Sequence, residues 1–167
     1  MYTSINEFIQ EWNQEAASTQ KLMDALTDSS LQQMVSPDDR SLGRIAWHVV
    51  TSTPGMLNEF GIKVDMVENE NTVPTSAKEI AEAFRKVSAD TIEGVQKQWT
   101  DENLKEIKNV FGMEMPKAVT LSLFLKHLIH HRGQMTVLMR QAGITVPGVY
   151  GPAREEWVHM GMEAPVI

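Results

Sequence analysis

The sequence predicts an all-α fold, a four-helix bundle with a short C-terminal extension. Three observations lead there. Four stretches carry apolar residues at three- and four-residue steps, the period of a helix that buries one face. Two of them open on a serine followed three residues later by glutamate, the spacing of a capping box. Strand-like alternation is confined to one short segment. The chain of 167 residues suits a single domain spanning 1–167, long enough to bury a core.

The first helix is expected over residues 4–27, where Ser4 and Glu7 form the capping pair. Ile5, Phe8, Ile9, Trp12, Ala16, Thr19, Leu22, Met23 and Leu26 recur as one buried stripe. Trp12 on that stripe reads as a core residue, with a pocket wall as its alternative. Ser36-Pro37-Asp38-Asp39-Arg40 is a polar turn into the second helix, with Ser36 or Ser41 as N-cap. Leu42, Ile45, Ala46, Val49, Met56, Leu57 and Phe60 mark that helix's apolar side, and His48 lies close to it. Proline removes a backbone donor and collides with the preceding turn, so a kink or break is expected at Pro54-Gly55.

A loop over residues 61–75 leads to the third helix, opened by Ser76 and Glu79. Ile80, Phe84, Val87, Thr91, Ile92, Val95 and Trp99 form its buried stripe, while Lys78, Glu82, Arg85, Lys86, Asp90 and Glu93 form a solvated face. Residues 107–115 suit a short hairpin turning near Gly112. Pro116 precedes the fourth helix, whose Leu121, Phe124, Leu125, Leu128, Met135, Leu138 and Met139 are apolar, and which stops around Arg140-Gln141-Ala142-Gly143. In the tail, Val146-Pro147-Gly148 and Gly151-Pro152 are turns, and the large aromatics Tyr150 and Trp157 are expected to dock on the bundle or on a partner subunit.

Composition narrows the function. Fifteen Lys and Arg against 22 Asp and Glu give a formal charge of −7, and no basic stripe with interleaved aromatics is present, so nucleic acid is not expected as a partner. No apolar run reaches the ~18 residues of a membrane span. No signal peptide is visible at the N-terminus, which makes the cytoplasm the expected compartment. The chain has no cysteine, so any metal site must use nitrogen and oxygen ligands. A small-molecule role is the starting point.

The fourth helix carries the chemistry. Three of the five histidines fall within Lys126-His127-Leu128-Ile129-His130-His131-Arg132-Gly133-Gln134. His127 and His131 are four apart, one turn above the other on one face with Phe124 and Leu138. That spacing lets one helix give two imidazoles to one metal ion. His127 with His130 is the competing pair, because His130 lies about 100° round the helix from His131. His48 is the other histidine with an inward aspect, and it completes a three-histidine site if the second and fourth helices are neighbours. The alternative is a buried polar network, in which every imidazole nitrogen needs a partner. His130 and His159 read as surface residues. Gln134 is a candidate for holding a ligand imidazole's tautomer or for lining a pocket. Arg132 reads as a surface base and Gly133 as a close helix-packing position.

Three neutral imidazoles leave an ion such as Zn²⁺ a coordination position for water or substrate, the catalytic arrangement. Zinc and nickel are the first expectations, and iron also accepts imidazole. Attack by metal-activated water or by a metal-held thiolate then becomes accessible.

His127-Leu128-Ile129-His130-His131-Arg132-Gly133-Gln134 resembles the HxxHHRGQ motif of the DinB-like, damage-inducible family of small bacterial four-helix proteins. Leu42-Gly43-Arg44-Ile45-Ala46-Trp47-His48 is similar to that family's second-helix segment, and the stretch from Pro147 to Trp157 to its tail. The resemblance implies an up-down-down-up bundle, a divalent metal on His48, His127 and His131, and a homodimer. It also implies one of two roles. One is a metal-dependent thiol S-transferase or hydrolase acting on small molecules, with a low-molecular-weight thiol as cosubstrate in the transferase case. The other is a metal-binding stress-response protein whose metal is structural.

Overall fold

Ser4 starts the first helix as its spacing requires. Its hydroxyl accepts from the Glu7 amide, and the Glu7 carboxylate accepts from the Ser4 amide in return. Ser41 and Ser76 cap the second and third helices through the amides of Arg44 and Glu79. The computed structural model describes residues 1–166. It contains helices α1 (Ile5–Ala25), α2 (Leu42–Phe60), α3 (Ala77–Gln98) and α4 (Lys117–Gln141). Short 3₁₀ turns lie at Asp28–Gln32, Asp101–Lys105 and Trp157–Met160.

Of the kink or break expected at Pro54-Gly55, the break does not occur; α2 runs unbroken to Phe60. Pro54 takes one donor out of the helical ladder, but it is buried, as are Val49, Val50, Thr53, Leu57 and Phe60 around it. Burial of that apolar side, on the order of 1.5–3 kcal/mol per large side chain, outweighs one missing hydrogen bond. Gly61 then ends α2 at a φ of 99°, which glycine adopts without the steric penalty of a Cβ.

The expected hairpin is present. Strands β1 (Ile107–Val110) and β2 (Met113–Pro116) pair antiparallel, Ile107 opposite Pro116 and Val110 opposite Met113. Phe111 and Gly112 both have positive φ, the requirement of a two-residue hairpin turn.

Cross-helix contacts fix the direction of each helix. The amide of Ala77 at the start of α3 donates to Asp28 just beyond α1, and that of Ile5 donates to Asp101 just beyond α3, so α1 and α3 are antiparallel. Phe8 and Trp12 pack on Phe124, and Thr19 meets Arg132 further along, so α1 and α4 run parallel. Phe60 meets Phe124 while His48 meets His127 and His131, so α2 and α4 are antiparallel. The arrangement is up-down-down-up. Two successive "down" helices need a return path, and the connection 61–76 supplies it by climbing beside α2. Asn58 donates to Val64, Trp47 to Glu70 and Arg44 to Asn71, in order up the helix.

One apolar cluster drawn from all four helices fills the centre, with Trp12, Phe8, Phe60 and Phe84 wholly buried. Among the described residues no helix is long and apolar enough to cross a membrane.

Candidate metal centre

The antiparallel contact of α2 with α4 brings the predicted histidines together. His48 Nε2 lies 3.2 Å from His127 Nε2, and His131 Nε2 lies 3.2 Å from the same atom. The candidate donor atoms of His48, His127 and His131 all fall within 4.8 Å of one another, the one such three-residue grouping among the described residues. On α4 the two histidines stack because they are one turn apart. His48 reaches them because Leu42, Ile45, Ala46 and Val49 bury the neighbouring side of α2.

The donor set fits a metal ion. Two imidazole nitrogens at about 2.0–2.1 Å from a tetrahedral ion stand about 3.3 Å apart, close to the separations of 3.2 Å. Hydrogen bonding among the rings alone is less satisfactory. Gln134 Oε1 lies 2.7 Å from His131 Nδ1, so that nitrogen carries the proton and His131 Nε2 presents a lone pair to the cluster. His127 Nε2 then faces two nitrogens with at most one proton to share. A cation at the centre satisfies all three lone pairs together.

Electrostatics favour the same state. Burial pushes His48 down from the ordinary 6.5 to about 4, helped by charge on His131, Arg40 and Arg44. His127 is likewise lowered to about 4, first by burial and then by its three histidine neighbours and Arg40. His131 is lowered by burial, opposed in part by the bond to Gln134. At neutral pH the three rings are uncharged, the form that binds metal.

Beside His131 lies a groove of about 690 Å³. Ile45, Val137 and Leu138 form apolar wall, Gln134 and His130 polar wall, and Arg40 stands in the loop before α2. A molecule in this groove sits next to the cluster.

The other candidates separate clearly. Trp12 is wholly buried, stacked on Phe124 at 4.9 Å and donating to the Ser88 carbonyl, so it serves the core and not the groove. His130 is exposed and borders the groove, outside the three-nitrogen cluster. His159 is exposed in the tail.

Arg132 is not a surface base. It is 2 % exposed and pairs with Glu15 on α1 at 2.6 Å, while Tyr150 accepts from Arg132 and donates to Glu15. Its partner lies 117 residues away in sequence, which no local pattern reveals. Tyr150, expected to dock on the bundle or on a partner subunit, reaches the bundle here through its hydroxyl while most of its ring stays exposed. Gly133 is not a close-packing position either, since an added Cβ would meet nothing within 4 Å. The residue that sequence reasoning left as part of a turn is Arg40. Its signal is a cation just ahead of the helix that carries His48.

Comparisons with known proteins agree with this picture. The model of the DinB family matches residues 1–163. A protein of Bacillus subtilis, YrdA, described as uncharacterized, is 44% identical over 165 residues, 99% of each chain. The crystal structure of a DinB-like protein from Bacillus cereus superposes with a TM-score of 0.86 at 50% identity, covering 90% of this chain and 100% of that one. A second DinB-like protein from Bacillus subtilis, YjoA, shares the fold at a TM-score of 0.68 and 17% identity, over 88% of this chain and 99% of its own.

Proposed function

The chain belongs to the DinB family, and from that premise we propose that His48, His127 and His131 bind one divalent metal ion that serves catalysis on a small molecule. The reaction class is thiol transfer to an electrophile or hydrolysis. The observation that carries the reading is the convergence of three uncharged imidazole nitrogens at metal-pair spacing beside an open groove. A divalent ion held there would lower the pKa of a bound water to about 7 or keep a small-molecule thiol as thiolate.

The chain's own groups divide the remaining work. Gln134 fixes His131 in the tautomer whose Nε2 faces the cluster. Ile45, Val137 and Leu138 shed water from the groove, which strengthens electrostatic contacts made inside it. Zinc or nickel suits the all-imidazole set. Pairing of two copies belongs to the same proposal, and sedimentation of the purified protein checks it.

A structural metal is the competing reading, favoured by the fact that the cluster joins two helices. One experiment separates the two. Purified protein is expected to carry about one metal equivalent per chain, and a His131→Ala variant almost none. Chelation should abolish conjugation of a fluorogenic electrophile with a small thiol, and added zinc or nickel should restore it. If chelation instead lowers the melting temperature by several degrees and no thiol conjugation or hydrolysis is seen at any loading, the metal is structural. Equal, negligible metal in both proteins removes the proposal.

A further inference from the structure

The six arginines of the chain are not used alike. Five donate to acceptors within the protein. Arg44 bonds the Asn71 carbonyl, Arg85 pairs with Asp24, Arg132 with Glu15, and Arg140 and Arg154 with Glu155. Among the described residues Arg40 makes neither a hydrogen bond nor an ion pair, although the chain carries a net charge of −7 and acidic groups are plentiful.

Its place is fixed nevertheless. The Asp39 amide donates to the Ser36 carbonyl, the Ser36 hydroxyl donates to Asp39 Oδ2, and the Leu42 amide donates to the Gln33 carbonyl. These bonds close the loop on both sides of Arg40 and anchor it to the first residue of α2. Arg40 lines the same groove as His131, Gln134, Ile45, Val137 and Leu138.

A guanidinium presents a planar fork of donors that matches a carboxylate in bidentate fashion. We propose that Arg40 is a specificity-determining residue that binds the carboxylate of a small molecule whose hydrocarbon part lies along the apolar wall and whose reacting end reaches the histidine cluster. The substrate class is thus a short carboxylate-bearing thiol or electrophile. Asp39 borders the same groove with the opposite charge, already engaged by Ser36, and a cationic ligand is the contrary outcome. The inference deepens the proposed function, and it rests on that reading only for the reacting end.

Two titrations test it. In the first, cobalt-loaded protein is titrated with mercaptohexanoate, neutral mercaptohexanol and cationic aminohexanethiol, and thiolate coordination is read from the charge-transfer absorption. The carboxylate thiol should bind about tenfold more tightly than the alcohol, the scale of one charge-assisted hydrogen-bonded pair. Arg40→Gln should remove that preference while leaving metal content and mercaptohexanol affinity within about twofold. In the second, hexanoate is titrated into metal-free wild-type protein and Arg40→Gln and followed by amide chemical shifts, which should move at groove residues and weaken in the variant.

If no thiol gives the absorption band but hexanoate binding still depends on Arg40, the metal-thiol reading fails and the carboxylate site stands. Hexanoate binding indifferent to Arg40, equal affinity for the three thiols, or a preference for the amine overturns the proposal.

Discussion

His131 and Arg132 are neighbours in sequence and occupy opposite situations. Arg132 turns toward α1, where Glu15 and Thr19, joined by Tyr150 from the tail, take up its donors. His131 turns toward α2, where its Nε2 meets that of His127 from its own helix, the His48 ring of α2 packs against it, and a groove opens alongside. One polar cluster is complete without help from outside. The other brings three imidazole nitrogens together, and under the proposed function a cation completes it. A buried polar group with all partners inside the chain holds structure, whereas a convergent set of like lone pairs at the rim of a groove is built to receive something.

The largest expected effect breaks the closed side. Arg132→Met leaves the Glu15 carboxylate buried without its partner, which should cost about 3–5 kcal/mol in urea unfolding. The double variant Glu15→Leu, Arg132→Met should recover most of that loss, because the unpaired charge is then gone as well. The same measurement on metal-free His131→Ala should show a smaller loss, since His131 is uncharged and gives up one hydrogen bond, to Gln134, without leaving a buried charge unpaired. Equal losses in the two single variants would erase the distinction between the sites.

A smaller effect is expected on the open side. Gln134→Leu removes the acceptor that holds His131 Nδ1–H and should weaken metal affinity by about 10–100-fold in a competition titration, with unfolding little changed. An unaltered affinity would mean that the tautomer is set without Gln134.

The smallest effect is a pH dependence. In the metal-free protein the unfolded chain takes protons at His48 and His127 near their ordinary 6.5, while the folded chain takes them only near about 4. The unfolded state therefore binds more protons between those values, and stability falls as pH drops through that window, with no further loss from these groups below it. The difference between wild type and a His48→Asn variant in urea midpoint, followed across about pH 4 to 7, isolates this contribution. A slope of the opposite sign, or none that the variant alters, contradicts the depressed histidines.

Much of the molecule was legible in the sequence because its determinants are local. Ser4, Ser41 and Ser76 cap helices through bonds that reach three residues, and the apolar stripes repeat within a few turns. His127 and His131 could be paired by counting along one helix. His48 needed the adjacency of α2 and α4, which the family resemblance implied. What stayed hidden depends on distant partners. Arg132 read as a surface base because nothing near it in sequence announces Glu15. Pro54 read as a kink or break, and local sterics do not register the burial that keeps α2 from breaking there. Arg40 borders a groove that residues of α2 and α4 form only in the folded chain, so its position there has no local signature.

His48, His127 and His131 are proposed to share one metal ion. Crystals of the protein grown with zinc, measured on either side of the zinc absorption edge, test it most directly. One anomalous peak per chain is expected, about 2.0–2.1 Å from the Nε2 atom of each of the three histidines. No peak there, or a peak held by other residues, would contradict it.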